Sequence, residues 1–385
     1  MPKGIFYTYA YNAEKTIKRT IQSVLAQTHE DFLYYVVDNG STDHTGEVIQ
    51  TMAQQDQRVI PLHNQINMVW EEGNGWWSVV RKAEIDDLFC FLDADDTYKP
   101  DYLEKMLAFM QENRLDIAAC GNDFVDSLTG KITNVRKLSS NLIVAGQGFS
   151  YYFPLYHQFM RTMWAKAYRA SVLQHFDFSH APALQYGWDT LFAVENFRNA
   201  SRIGILSESL HQYYLSKHSL SYQYDTNRLR SPEILYHYVE RFLQEKCSQV
   251  SPRNQDFLLC IYLNDLSDAL HVLWNTPIPE TEKIAYLLVL FESEPLHLLL
   301  QANHLGKLYG LLPHIQEQRC RFFSDITDRM LSLDEVPDEL VECFCKFGEL
   351  LCASIEDAEK WMCFRNLHIQ YLHSVGRTQE AVELQ

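Results

Sequence analysis

The chain has 385 residues, a length that favours two domains. With 46% hydrophobic and 22% charged residues, its composition is that of a globular protein with a sizeable core. Its 33 Lys and Arg against 50 Asp and Glu give a formal net charge of −17, which argues against nucleic acid or an anionic membrane surface as the main partner.

The first hundred residues alternate between predicted strands and helices. Strands are predicted at residues 4–9, 32–37 and 58–62, because these stretches are short and rich in β-branched and aromatic residues. Helices are predicted at residues 13–27 and 42–54, the first of which carries apolar residues on one face. Such alternation predicts a parallel sheet with helices on its faces and right-handed crossovers.

A short apolar run then ends in three carboxylates. After a predicted helix at 76–85, residues 89–92 read Phe-Cys-Phe-Leu, typical of a strand buried on both faces, and Asp93, Asp95 and Asp96 follow. The carboxyl end of such a strand is where open α/β sheets bind ligands. Clustered carboxylates favour a hard divalent cation such as Mg²⁺ or Mn²⁺. An acidic turn that caps the next helix would give the same pattern.

The middle of the chain continues the alternation. We predict a helix at 100–113, a strand at 116–120 and a hairpin turn at 127–131. Residues 147–164 are dense in aromatic side chains, which form either core or a platform for a sugar.

Four motifs occur in order along the first half of the chain. They are Tyr-Asn at 11–12, Ser-Val-Leu-Ala-Gln-Thr at 23–28, Val-Asp-Asn-Gly-Ser-Thr-Asp at 37–43 and Leu-Asp-Ala-Asp-Asp at 92–96. Together they resemble the inverting family 2 glycosyltransferases of the GT-A fold. The resemblance implies an α/β, Rossmann-like nucleotide-sugar-binding domain, which we place at residues 1–224. It also implies that residues 162–169 run beside the acceptor site.

The resemblance implies a role for residues at the strand ends. Tyr9 and Tyr11 would lie near the uracil, and Asp38 would accept a hydrogen bond from the base or ribose. Asp93, with Ala94 beside it, would meet the ribose or the metal. All of these are expected in one crevice at the carboxyl edge of the sheet.

Further residues would complete the metal and diphosphate sites. The resemblance implies that Asp95 holds Mn²⁺ or Mg²⁺, with His218 able to complete the metal shell and Lys217 able to meet a phosphate. The family's diphosphate-facing arginine is missing from residues 71–78, so that Arg81, or Lys82, is the candidate for its role. Two tryptophans in this stretch could stack on a base or sugar, or pack against the next helix.

A second carboxylate carries the predicted chemistry. Residues 186–192 resemble the family's Glu-Asp-x-x-Phe motif, although Trp188 replaces the Glu. The resemblance implies that Asp189 is the general base. A position at a predicted helix start favours its ionised form, because the helix dipole stabilises a negative charge there. A plain helix cap would look the same in the sequence.

From residue 225 onward the strand signals disappear. Apolar residues recur at helical spacing, which predicts helices at 234–243, 257–274, 281–300, 304–323, 337–353 and 355–372. Short breaks are predicted at 251–252, 275–277 and 293–295. We therefore expect an all-α C-terminal domain at 225–385, of unknown role, which the family resemblance does not cover. A soluble catalytic domain with such an appendage is similar to bacterial enzymes that extend glycans on serine-rich adhesins, and the appendage could bind other glycosyltransferases.

We expect a cytoplasmic protein. A strand follows Met1 too closely for a signal peptide, and apolar runs such as 284–291 are shorter than the roughly 20 residues of a membrane helix. Nine cysteines without a Cys-x-x-Cys pair favour buried thiols over a zinc site.

The predicted function is metal-dependent, inverting transfer of glucose, galactose or an N-acetylhexosamine from a UDP-sugar to a hydroxyl of a glycan or glycoprotein. Nucleotidyl transfer to a sugar phosphate is an alternative, but the Gly-rich phosphate loop expected after the first strand is replaced by Ala-Tyr-Asn at 10–12. A catalytically silent scaffold that acts through its helical domain is the non-enzyme alternative.

Overall fold

The computed structural model describes residues 3–68, 75–177, 184, 186–215, 224–225, 227–302, 314–333 and 335–385. The chain forms two compact units. The first comprises Met1–Ala183, Trp188–Ser219 and Phe242–Gln249, and the second comprises Leu184–Gly187, Leu220–Arg241 and Val250–Gln385. The domain boundaries expected from the sequence, 1–224 and 225–385, stay a prediction.

The first unit contains a sheet of ten strands among its described residues. The strands are β1 (Gly4–Ala10), β2 (Phe32–Asn39), β3 (Val59–Asn64), β4 (Leu88–Phe91), β5 (Thr97–Tyr98), β6 (Ile117–Asp126), β7 (Ile132–Arg136), β8 (Leu142–Ala145), β9 (Lys166–Arg169) and β10 (Arg202–Leu215). They lie in the order β3-β2-β1-β4-β9-β6-β10-β5, with β7 paired to β6 and β8 paired to β10.

The predicted parallel sheet is confirmed for β1 to β4, which pair in parallel. Beyond them the sheet is mixed, because β9 is antiparallel to both β4 and β6. The strand predicted at 116–120 extends to Asp126, and the predicted turn at 127–131 joins it to β7 in an antiparallel pair.

Eight helices of the first unit are described. They are α1 (Ile17–Leu25), α2 (Thr45–Gln55), α3 (Trp76–Lys82), α4 (Tyr102–Asn113), α5 (Gly148–Tyr151), α6 (Phe153–Tyr156), α7 (Ala170–Leu173) and α8 (Trp188–Asn199). The helix predicted at 13–27 begins only at Ile17. The backbone N–H of Ala13 instead donates to Thr45 Oγ1 at 2.7 Å, so the preceding residues form a loop tied to the start of α2.

The pleat of the strands gives the two sheet faces different partners. On one face, residues such as Phe6, Tyr34 and Cys90 form a core with the apolar residues of α1, α2 and α4. On the other face lies an aromatic cluster in which Phe91 contacts Trp76 of α3 at 5.9 Å and Phe192 of α8 at 5.5 Å, measured between ring centroids. The second face therefore positions the start of α8 over the carboxyl ends of β1 and β4.

The second unit is helical in its described part. Its helices are α9 (Ser231–Cys247), whose last residues belong to the first unit, α10 (Pro252–Asn275), α11 (Glu280–Leu288), α12 (Glu294–Gln301), α13 (Ile315–Leu331), α14 (Asp338–Ser354), α15 (Ala358–Ser374) and α16 (Thr378–Glu383). The break predicted at 293–295 is confirmed, because a new helix begins at Glu294 after Ser293, with Pro295 in its first turn. The helix predicted at 304–323 begins at Ile315, and residues 303–313 lie outside the described part.

By length and composition alone, α10 is long and apolar enough to cross a bilayer. The helical segments Glu280–Glu292 and Glu294–Gln301, which are bent by 75° at the break between them, are long enough only if they count as one span. Buried residues make up 67% of the apolar window of α10, as in the core helix of a globular domain.

Candidate active site

Two of the sequence motifs join the loops that follow β1 and β2. Asn12 adopts a left-handed conformation with φ of 49°, and its Oδ1 accepts a hydrogen bond from Thr42 N at 2.8 Å. Its own backbone N–H donates to Ser41 Oγ at 3.0 Å. The Tyr-Asn and Gly-Ser-Thr motifs therefore form one clasp at the sheet edge, and the neighbouring Tyr11 is left 46% exposed there.

The acidic loop after β4 is held by α1 and β10. Thr20 Oγ1 donates to the carbonyl oxygens of Asp96 at 2.8 Å and of Ala94 at 3.0 Å. Arg19 Nη2 donates to the carbonyl oxygen of Asp95 at 2.5 Å. From β10, Tyr214 N donates to Asp96 Oδ1 at 2.9 Å. The bonds from Thr20 and Arg19 fix the backbone of the loop, and the bond from Tyr214 holds the side chain of Asp96. None of these bonds uses the carboxylates of Asp93 and Asp95.

The Ser-Val-Leu-Ala-Gln-Thr motif holds the chain just after the acidic loop. Gln27 Nε2 donates to the carbonyl oxygen of Lys99 at 2.8 Å, and Gln27 Oε1 accepts from Leu103 N at 2.9 Å. Tyr98 N donates to Ser23 Oγ at 3.3 Å. In the sequence, this motif carried the family resemblance and had no assigned structural role. The structure gives it a supporting role, in which helix α1 braces the acidic loop and its exit strand.

Asp93, Asp95 and Asp96 form a cluster that fits a divalent cation. Each offers an oxygen, and these three oxygens lie within 4.8 Å of one another. Asp96 is fully buried, and its Oδ2 has no hydrogen-bond donor among the described residues. His211 Nε2 lies 3.3 Å from that oxygen but is not aligned to donate. Burial, and then the charge of Asp95, raises the pKa of Asp96 well above its ordinary value. A hard cation would relieve this repulsion and satisfy the orphaned oxygen.

Asp189 lies in the first turn of α8, as the sequence predicted. Thr190 Oγ1 donates to the carbonyl oxygen of Arg161 at 3.1 Å, which anchors this turn. Packed surroundings, then the charge of Asp96 and then that of Asp189, raise the pKa of Asp93. Asp189 is therefore close enough to Asp93 for their charges to interact. Burial raises the pKa of Asp189 to about 6, while the charge of Lys166 acts in the opposite direction. The structure thus brings Asp189 and the acidic loop to one place.

Tyr9 and Asp38, which the sequence placed in one crevice, lie on opposite faces of the sheet. The register pairs Tyr9 with Val37 and Ala10 with Asp38, so the alternation of the strand separates the two side chains. Asp38 Oδ2 lies 3.0 Å from His63 Nδ1 and 2.5 Å from the position that a Cβ on Gly46 would take. Asp38 is therefore covered by the start of α2.

The face that carries Tyr9 has a different polar group at the end of β2. Tyr9 is half-buried and shares a hydrogen bond with the side chain of Asn64. Asn64 Nδ2 in turn donates to Asn39 Oδ1 at 2.8 Å. The polar residue of β2 beside Tyr9 at this edge is thus Asn39.

The residues predicted to contact the diphosphate or to stack on a sugar lie in different surroundings. Arg81 is exposed on α3, and its guanidinium lies 5.3 Å from the ring centroid of Trp77. Trp76 is 1% exposed and belongs to the aromatic core, so it is not a platform for a sugar. Lys217 and His218, like the first part of the 71–78 stretch, lie outside the described residues, and their roles stay predictions.

Sequence reasoning missed Lys166 on β9. This lysine is 1% exposed, and it lies within the otherwise apolar run Met-Trp-Ala-Lys-Ala-Tyr at 163–168. A charged residue inside an apolar run was the available signal, because lysine is almost never fully buried without a reason.

Comparisons with known proteins agree with this geometry. Residues 6–176 match the family model described as glycosyl transferase family 2. The chain is 26% identical over 218 residues to the uncharacterized glycosyltransferase EpsJ of Bacillus subtilis, covering 55% of this chain and 60% of that protein. It is 37% identical over 109 residues to the putative teichuronic acid biosynthesis glycosyltransferase TuaG of Bacillus subtilis, covering 27% and 40% of the two chains.

The match to the first curated relatives is partial, because the chain spans 60%, 61% and 30% of their lengths. Among solved structures, residues 1–349 of S. aureus TarS in complex with UDP-GlcNAc align with a TM-score of 0.50 at 18% identity, over 97% of this chain and 92% of that one. At this identity the likeness shows the fold. Residues 6–176 are therefore similar to the family 2 glycosyltransferases, and the chain has the mixed α/β sheet of the GT-A fold followed by a helical C-terminal region.

Proposed function

We propose that the chain is a metal-dependent, inverting glycosyltransferase that moves a hexose from a UDP-sugar to a hydroxyl of a glycan or glycoprotein acceptor. The observation that carries the proposal is the meeting of Asp189 with the acidic loop at one edge of the sheet. One carboxylate held apart from a metal-binding cluster provides a base and a cation site within reach of one bound donor.

The nucleotide end of the site is assigned to the strand ends. We propose that the uridine lies against Tyr9 and Tyr11, with the ribose near Asp93 and Ala94. Tyr11 is suited to this because the clasp at Asn12 holds it exposed at the rim. Asp38 supports the turn, since its Oδ1 accepts a hydrogen bond from Ser41 N at 3.0 Å. The S. aureus protein with this fold was crystallised with UDP-GlcNAc, which supports a UDP-sugar as donor.

The metal end is assigned to the acidic loop. We propose that Asp95, with Asp93 beside it, holds Mn²⁺ or Mg²⁺. When bound, the ion supplies Lewis-acid stabilisation of the charge on the departing diphosphate. The chain's own contribution is a rigid loop, because Thr20 and Arg19 hold its backbone and Tyr214 holds the Asp96 side chain before any ligand arrives. Positioning of this kind reduces the entropic part of the activation barrier.

The bond-making step is assigned to Asp189. We propose that one of its carboxylate oxygens takes the proton of the acceptor hydroxyl while the hydroxyl oxygen bonds to the anomeric carbon. The bond from that carbon to the UDP oxygen breaks on the opposite side, and UDP leaves with the electron pair. An α-linked donor then yields a β-linked product. The anchoring of Thr190 keeps the first turn of α8, and with it this carboxylate, in place.

For the helical region we propose acceptor docking or partner binding, including binding of other glycosyltransferases. The residues assigned to the chemistry all lie in the first unit. The all-α part, placed at 225–385 from the sequence, is thus left for recognition.

A panel of nucleotide sugars tests the proposed function, with released UDP as the readout. We expect wild-type protein to release UDP slowly from one or more UDP-hexoses with Mn²⁺, to stop when EDTA is added, and to resume when excess Mn²⁺ is restored. Release of sugar 1-phosphate in place of UDP would contradict the proposal and favour nucleotidyl transfer. No release from any donor, with or without metal, would also contradict it.

A further inference from the structure

Lys166 is buried, and its ammonium bonds to neutral oxygens. Its ammonium donates to the carbonyl oxygen of Thr162 at 2.6 Å, to Thr162 Oγ1 at 3.0 Å and to the carbonyl oxygen of Trp164 at 3.2 Å. Among the residues that the structure describes, it forms no ion pair. A buried charge is costly, and hydrogen bonds to neutral oxygens offset only part of that cost. A lysine in this setting calls for a functional explanation.

The segment before β9 ties Lys166 to the start of α8. Arg161 accepts the hydrogen bond of Thr190, the residue after Asp189, while the next residue, Thr162, accepts two from the Lys166 ammonium. Lys166 and Tyr168 share one face of β9, because side chains two apart on a strand point the same way. The Tyr168 ring centroid lies 5.8 Å from that of Phe192, one turn beyond Asp189. Lys166 therefore faces the side of the sheet that α8 covers.

The charges around Lys166 come from four elements. Burial, and then the positive charge of Arg136 on β7, lowers the pKa of Lys166 to about 7. Cys120 on β6 and Asp189 on α8 act on this pKa in the opposite direction. On β10, neutral His211 feels the positive charge of Lys166. Among these groups, the carboxylate that stabilises the ammonium is Asp189.

We propose that Lys166 is a positioning residue for the reaction, which holds Asp189 ionised and ready to accept the acceptor's proton. This inference rests on the proposed function, in which Asp189 is the base. Thr162 and Trp164 fix the ammonium in a dry part of the site, where an opposite charge acts more strongly than in water.

Lys166→Met tests the proposal, because methionine keeps the unbranched shape and removes the charge. In the first arm, the protein is labelled with ¹³C at the aspartate carboxyl groups and titrated by NMR, and the signal that disappears in Asp189→Asn identifies Asp189. We expect the titration midpoint of Asp189 to rise by about one pH unit in Lys166→Met, as for loss of a nearby opposite charge. An unchanged midpoint overturns the proposal, whether or not the protein turns over a donor.

In the second arm, UDP release is measured against pH. The acid limb of kcat should move upward by about one pH unit in Lys166→Met, so that turnover falls about tenfold below the wild-type midpoint near pH 6, about twofold at pH 7, and recovers in alkali. Lys166→Arg should restore the wild-type profile, and Lys131→Met, at an exposed turn, should leave it unchanged. Thermal stability should be retained or raised in Lys166→Met, since removing a buried charge is often stabilising. A lower Tm with an unchanged pH profile would mark a structural role only and contradict the proposal.

Discussion

Asp189→Asn is expected to reduce glycosyl transfer by about 10²–10⁴-fold, the loss typical of a missing general base. The amide keeps the size of the side chain and its capacity to cap a helix, but it cannot accept a proton. UDP affinity in the presence of Mn²⁺ should stay nearly unchanged, because the nucleotide is assigned to Tyr9, Tyr11 and the acidic loop. Initial rates at saturating donor and acceptor, together with calorimetry of UDP binding, measure the two effects separately.

The matched control for this variant is Asp357→Asn. Asp357 caps α15, and its carboxylate accepts a hydrogen bond from Lys360 N at 3.1 Å, so it represents a capping aspartate without chemistry. Asn caps as well as Asp, and we expect no change in turnover. If Asp189→Asn keeps more than about a tenth of wild-type transfer, well above what loss of a base allows, the base lies elsewhere. Glu195, which pairs with Arg198, would then be tested next.

The assignment of Asp189 as the base predicts how wild-type turnover depends on pH. Burial raises the pKa of Asp189 to about 6, and only the ionised form accepts a proton. Turnover should therefore be complete above this pKa and fall as the pH falls through it.

Asp95→Ala is expected to abolish the metal-dependent part of UDP binding. The affinity measured with Mn²⁺ should fall by at least the roughly 10–100-fold that even an outer-shell metal partner contributes. The fold should persist, because Arg19 bonds to the carbonyl oxygen of Asp95, and Ala retains that group. Calorimetry of UDP with Mn²⁺ and with EDTA measures the metal-dependent part directly.

Asp31→Ala serves as the control, since Asp31 is an exposed carboxylate at the amino end of β2, away from the acidic loop. It should bind UDP as the wild type does in both solutions. Unchanged UDP affinity of Asp95→Ala with Mn²⁺, alongside a normal Tm, would remove Asp95 from the metal site.

Local signals predicted much of the site. The apolar run before Asp93 predicted a buried strand, and the structure places the three carboxylates directly after β4. Asp189 was predicted at a helix start and lies in the first turn of α8. Both predictions depend on residues that adjoin in the sequence, where strand and helix patterns are informative.

Features that depend on pairing between distant strands were not predictable. The opposite faces of Tyr9 and Asp38 follow from the register of β1 against β2, which neither strand encodes alone. The burial of Lys166 follows from the insertion of β9, antiparallel, between β4 and β6. A parallel sheet inferred from alternation along the first hundred residues contains no such insertion.

Helix boundaries failed where side chains competed for backbone groups. The loop before α1 stays non-helical because Ala13 N and Glu14 N bond to Thr45 and Asp43 across the clasp. The apolar periodicity predicted a helix through these residues, because it carries no information about hydrogen-bond partners about 30 residues away in the sequence.

The stereochemistry of the first product tests the central claim most directly. Wild-type protein would be mixed with Mn²⁺ and the α-linked UDP-hexose that it hydrolyses, and the anomeric proton of the released sugar would be followed by NMR before mutarotation. A single displacement assisted by Asp189 predicts that the β anomer appears first, at the rate at which UDP is released. Initial appearance of the α anomer would contradict the account, because retention requires a step that one base and one displacement do not provide.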